Sequence, residues 1–257
     1  MTPYYDVHAG NGPPMLMVHG FLSARSQWLP NLEAFKSFCT PVVLELWGHG
    51  RSPAPEDPNA YRVQSYIKAF EDIRRTLRAE TWFLCGQSFG AGLTLRYALE
   101  HPDRVQAQVF TNSVSALSPP GTMSGGEAGA RADALEQGGL AAIEALPFHP
   151  RHAKRFAPEV KTALLHDAAM ISPRGIANAM RYTAPELSVA MAIDRITVPT
   201  LLVNGLWEKS FQPLRDAVSR SLPVLRIADI EAGHSVNLEA PEAFNTAVRD
   251  FVEASGS

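Results

Sequence analysis

Short runs of aliphatic and β-branched residues alternate with longer stretches in which apolar residues recur at helical spacing. Residues 15–18, 41–46, 82–85, 105–110, 200–203 and 224–227 read as strands. Between the second and third runs, residues 65–79 carry Ile67, Phe70, Ile73 and Leu77 in one helical stripe. Strands that alternate with helices build a mostly parallel sheet, because each parallel crossover needs a helix and both sheet faces then need cover. The alternation breaks between about Ser113 and Ala192. That stretch has turn-rich breaks at Ser118-Pro119-Pro120-Gly121 and Ser124-Gly125-Gly126, with amphipathic helical patches near 127–146, 151–170 and 174–182. The expected architecture is a doubly wound, mostly parallel α/β core made of residues 1–112 and 193–257. Residues 113–192 are expected as an inserted helical cap.

Composition narrows the picture without redirecting it. A chain of 257 residues with 46% apolar and 19% charged residues can bury a large core as one domain with an insertion. The formal net charge is −3 and no Lys/Arg block exceeds two neighbours, which excludes the concentrated basic face that nucleic-acid binding needs. Two cysteines, Cys39 and Cys85, sit in or beside apolar runs and read as reduced core thiols. The sequence opens without a basic region followed by an apolar run, and no segment reaches membrane-spanning length. A cytoplasmic location and no membrane partner are therefore expected. His149 and His152 lack a third ligand, so no metal site is expected.

The chemistry concentrates at Gly86-Gln87-Ser88-Phe89-Gly90, which follows the strand at 82–85 and opens onto the helical stretch 91–100. A bare Gly-x-Ser-x-Gly arises by chance; strand, sharp turn and helix around it do not. The glycines leave room where the helix passes close to the strand, and the turn pushes the Ser88 hydroxyl outward. A serine hydroxyl is a poor nucleophile at neutral pH. It needs a base to take its proton, and the base needs an acid to hold its tautomer. His234, in Glu231-Ala232-Gly233-His234-Ser235-Val236 after the last strand, is placed to be that base.

These segments together resemble the α/β-hydrolase superfamily over nearly the whole chain outside the cap. His19-Gly20-Phe21 looks like its oxyanion loop, Gly48-His49-Gly50-Arg51-Ser52 like its next loop signature, and Gly86–Gly90 like its nucleophile elbow. Gly233-His234 completes the order that this fold uses. The family pattern then places an aspartate three residues after a glycine at the end of the strand at 200–203. This chain reads Gly205-Leu206-Trp207-Glu208, so glutamate stands in the acid position and reaches further by one methylene. The other acid position found in the family, after the strand that follows the elbow helix, reads Thr111-Asn112-Ser113 and holds no carboxylate. Asp229 and Glu231 are the rival acids.

The resemblance implies a serine hydrolase of the esterase or lactonase type, with Ser88, Glu208 and His234 as its triad and no cofactor. The backbone N–H groups of Phe21 and Phe89 would face the oxyanion, each such donor being worth a few kcal/mol. Phe21, Phe89, Trp28 and Trp207 are the candidate pocket residues, while His19 and His49 brace their loops. A cap of this size favours a small or medium apolar carboxylic ester or lactone over a polymer. Carbon–carbon bond hydrolases of the meta-cleavage type resemble the chain in the triad but carry tryptophan where it has Asn237. The menaquinone-pathway lyase resembles it at His19-Gly20-Phe21-Leu22-Ser23 but has a basic residue where it has Ala91. Cofactor-free perhydrolases share the triad. A ligand receptor that has kept the hydrolase shell is the reading from another class. The oligomeric state is not fixed by the sequence.

Overall fold

A computed structural model describes residues 1–121 and 125–255, so Ser124 of the second expected turn lies outside the described residues. Seven strands form one sheet: β1 (Tyr5–Val7), β2 (Pro14–Val18), β3 (Thr40–Leu44), β4 (Trp82–Gly86), β5 (Val105–Thr111), β6 (Thr200–Gly205) and β7 (Leu225–Ile230). Their spatial order is β1-β3-β2-β4-β5-β6-β7, parallel throughout except for β1, which runs antiparallel to β3. The helices are α1 (Leu29–Phe35), α2 (Val63–Thr76), α3 (Phe89–Glu100), α4 (Val114–Leu117), α5 (Gly125–Glu144), α6 (Pro158–Ala168), α7 (Pro173–Asn178), α8 (Gln212–Ser221), α9 (Val236–Glu239) and α10 (Pro241–Ser255).

The two-residue period of the strands sorts the core into two layers. Met15, Met17, Val43, Phe83, Cys85, Val109, Leu201 and Val203 face α1 and α10, meeting Phe35, Phe244 and Phe251. Leu16, Val18, Val42, Leu44, Leu84, Phe110 and Leu202 face α2, α3 and α8, meeting Phe70, Leu95 and Val218. Strands buried on both faces read as largely apolar runs, which is why β2 to β6 are visible in the sequence. The short strand β1, three residues long, pairs with β3, and its Asp6 is held by Arg51. The edge strand β7 runs on to Ile230, past the expected end at 227, where the exposed Asp229 interrupts the apolar run.

Among the described residues between β5 and β6 there is no strand; α4 to α7 and short helical turns fill that stretch. Helix α5 is broken at Gly139, whose φ of 63° leaves the helical region. Both cysteines are free and buried, and burial pushes the Cys39 thiol up to about 12 and the Cys85 thiol up as well.

The helix that carries the elbow is pinned by a buried ion pair. On α2, Glu71 accepts from Arg74 Nε at 2.8 Å and Nη2 at 2.9 Å, and Tyr97 of α3 donates its hydroxyl to the same carboxylate. The Arg74 hydrogen bond, joined by that of Tyr97 and outweighing burial, holds the Glu71 carboxyl at about 2 against an ordinary 4.5. A depressed carboxyl contributes stability above its unfolded value, and the contribution is lost as pH falls from about 4.5 towards 2. Glu71→Gln is therefore expected to destabilise the fold by about 3 kcal/mol at neutral pH. Urea unfolding of the two proteins should show this difference shrinking through that acid window; a pH-independent difference would exclude the charge as its source.

Candidate active site

Strand β4 ends where Ser88 must turn the chain into α3, and Ser88 does so with φ 51° and ψ −109°. A non-glycine residue at positive φ is strained and persists only where its surroundings over-determine it. Here they do. The Ser88 N–H donates to Thr111 Oγ1 at 3.3 Å, and its carbonyl accepts from Ser113 Oγ at 2.6 Å. The flanking glycines are required by close approach. A Cβ on Gly86 would lie 2.6 Å from Ala91 Cα, and one on Gly90 would lie 2.7 Å from the His19 carbonyl.

The loop after β7 brings His234 over this turn. Its Nε2 lies 2.8 Å from Ser88 Oγ and its Nδ1 lies 2.9 Å from Glu208 Oε2. A carboxylate only accepts, so the proton of the neutral ring belongs on Nδ1, and Nε2 turns its lone pair to the serine hydroxyl. Asp229 is taken up instead by Arg215 at 2.6 Å and by Asn204 at 2.7 Å, and Glu231 is exposed. Burial would raise the Glu208 carboxyl, but the hydrogen bond and charge of His234 and the amide of Asn112 outweigh it and hold the group below its ordinary value.

Asn112 sits at the other acid position of the family and is wholly buried. Its amide nitrogen donates to Glu208 Oε2 at 2.8 Å and to the Gly205 carbonyl at 3.2 Å, while its oxygen accepts the Gly205 N–H at 2.9 Å. The sequence shows only that a carboxylate is missing there. In the fold, the amide clamps the β6 loop and supports the glutamate across from it.

The loop hydrogen bonds among the described residues leave the N–H groups of Phe21 and Phe89 unused, and Phe89 opens α3, where helix geometry leaves amides free. The Phe21 ring packs 5.4 Å from Phe89, 6.0 Å from His49 and 6.2 Å from Phe148. Phe148 comes from the inserted segment and is 60% exposed. His19 donates from Nδ1 to the Gly20 carbonyl at 2.7 Å and accepts the Leu46 N–H at Nε2 at 3.0 Å. Burial pushes His19 down to about 3 and His49 to about 4, so both stay neutral as loop braces.

Two pocket expectations fare differently. Trp207 is half exposed beside Glu208, with the Arg155 guanidinium 5.3 Å from its ring centre. Trp28 is a correction: it has no exposure and packs in the α1/α10 layer with Phe35 and Phe244, sealed from substrate. Asn237, where carbon–carbon hydrolases carry tryptophan, is also buried, bonded to the Gln27 carbonyl at 2.7 Å and to Asn31 at 3.0 Å. His149 and His152 point to different partners, the Arg151 N–H and the Glu144 carbonyl. Among the described residues no helix is long and apolar enough to cross a membrane.

A parallel sheet with a serine on a strained strand-to-helix turn, facing a histidine from the loop after the last strand, defines the α/β-hydrolase class. The family model described as alpha/beta hydrolase fold matches residues 13–241, and the chain belongs to that family. A curated relative is the putative 2-succinyl-6-hydroxy-2,4-cyclohexadiene-1-carboxylate synthase of Bacillus subtilis, 26% identical over 252 residues, covering 93% of this chain and 89% of that protein. The 3-oxoadipate enol-lactonase 2 of Acinetobacter baylyi is 26% identical, covering 92% and 87%. Among solved structures, MenH from S. aureus superposes with a TM-score of 0.86 at 20% identity over the whole of both chains. The esterase from Exiguobacterium antarcticum gives 0.81 at 18% identity, covering 97% and 95%.

Proposed function

We propose that the protein is a serine hydrolase that cleaves a small or medium apolar carboxylic ester or lactone through an acyl-enzyme, with residues 113–192 serving as the cap over its cleft. The observation that carries this reading is the continuous hydrogen-bonded line Ser88 Oγ, His234, Glu208, with steps of 2.8 and 2.9 Å. Ser88 attacks the carbonyl carbon while its proton passes to His234 Nε2. The new oxyanion faces the N–H groups of Phe21 and Phe89. Collapse breaks the ester C–O bond, and the imidazolium returns the proton to the leaving oxygen. Water then repeats the sequence on the acyl-enzyme, with His234 as base again, and Glu208 stabilises each imidazolium.

The aromatic contact of Phe21, Phe89 and Phe148 supports an apolar acyl group on one side of the serine. Ala91, directly after the elbow, offers no cation for a substrate carboxylate, and Asn237 is buried away from the site; both weigh against the lyase and carbon–carbon readings. A panel of p-nitrophenyl esters of rising chain length, run beside a set of lactones, tests the proposal. Turnover of at least one series on the order of a millionfold above the uncatalysed rate is expected. Protein that a fluorophosphonate labels at Ser88 but that turns over neither series would favour the receptor reading.

A further inference from the structure

The steps above leave one buried carboxylate beside the site unused. Glu239 closes α9, and its side chain is only 5% exposed. It turns back on the loop before its own helix: Oε2 accepts the Gly233 N–H at 2.9 Å and Oε1 accepts the Ser235 N–H at 3.4 Å. Those two residues flank His234. Arg155, just before α6 in the inserted segment, donates from Nε to the same Oε2. Its guanidinium also lies over the ring of Trp207, the residue that precedes Glu208. One arginine from the inserted segment thus touches the neighbour of the acid and, through Glu239, both neighbours of the histidine. A methyl at Gly233 would fall on the guanidinium and the carboxylate, so this glycine is what lets the pair close.

We propose that Glu239 is a positioning residue for His234 and that Arg155 locks it from the cap side, so that the ring meets Ser88 and Glu208 at once. The proposal rests on the triad reading above. A carboxylate this buried persists only when paired, and here two amides and a guanidinium pair it. The imidazole has a fixed span between its nitrogens and must bridge two groups on different loops. A displacement near 1 Å on either side breaks one of its two bonds and costs on the order of a hundredfold. Closure of the inserted segment over the core is thereby linked to the alignment of the base.

Glu239→Gln is the sharpest variant. The carboxylate uses one oxygen for each amide, whereas glutamine has a single oxygen and must turn its NH2 towards an N–H donor. The shape is kept and the clasp is lost. With p-nitrophenyl butyrate, kcat should fall about tenfold to a hundredfold with KM nearly unchanged, and fluorophosphonate labelling of Ser88 should slow in parallel. Arg155→Ala should lose a similar factor, Arg155→Lys should recover most of it, and Arg155→Ala should add little in the Glu239→Gln background. Arg151→Ala, which breaks the exposed pair with Glu144 in the same segment, should change nothing. A merely loosened cap would raise KM and leave the labelling rate alone, and that outcome overturns the proposal, as do Glu239→Gln and Arg155→Ala proteins that label at the parental rate. If the parent is not labelled at Ser88 at all, the triad reading falls and takes the clasp with it.

Discussion

Ser88→Ala leaves a folded protein whose turnover has dropped by at least about a thousandfold. The expectation follows from how the elbow is held. The strained φ of 51° is imposed by contacts that do not involve the hydroxyl: the Ser88 N–H on Thr111, its carbonyl on Ser113, and the close passage of Gly86 and Gly90. Alanine inherits the same backbone and the same neighbours, so thermal unfolding should stay within a degree or two of the parent. What disappears is the oxygen 2.8 Å from His234 Nε2. The proposed oxyanion donors, the N–H groups of Phe21 and Phe89, remain, and groups of this kind sustain a residual rate even without the nucleophile. A fluorophosphonate should label the parent at Ser88 and the variant nowhere. Near-parental esterase rate in the purified variant would remove Ser88 from the role.

The central strands of the sheet were legible in the sequence because they are buried on both faces, which leaves no polar positions to blur the runs at 15–18 and 82–85. The candidate site was legible for a different reason. Its glycines are dictated by backbone clearance, and a glycine at each end of Ser88 or directly before His234 is a local signature of that clearance. What escaped are partners that only the fold brings together. Asn112 and Glu208 stand 96 positions apart, and Arg155 and Glu239 stand 84 apart; no spacing within either segment announces the pair. Trp28 shows the opposite failure. It was a candidate pocket residue, but the 3-10 turn from Arg25 to Trp28 carries the ring into the layer of the core that faces α1 and α10.

Glu208→Gln should cost between about a hundredfold and ten-thousandfold in turnover, although it preserves size and fold. In the parent, Glu208 Oε2 receives two donors, His234 Nδ1 at 2.9 Å and Asn112 Nδ2 at 2.8 Å. Glutamine has one oxygen to offer and two hydrogens of its own. If that oxygen stays with Asn112, its NH2 faces the ring and draws the imidazole into the tautomer with the proton on Nε2, which then points a hydrogen at Ser88 where a lone pair is needed. If the oxygen turns to His234, the Asn112 amide loses its acceptor and the clamp on Gly205 loosens. Either way the charge that offsets the imidazolium is gone. Because the Glu208 carboxyl is held below its ordinary value, it remains ionised as the medium turns mildly acidic, and the acid limb of the parental rate profile should not report its titration. Glu208→Asp keeps the charge and shortens the reach, so it should fall between the parent and the glutamine variant. Unchanged turnover in Glu208→Gln would sink the assignment and return the role to Asp229 or Glu231, which Asp229→Asn and Glu231→Gln would then separate.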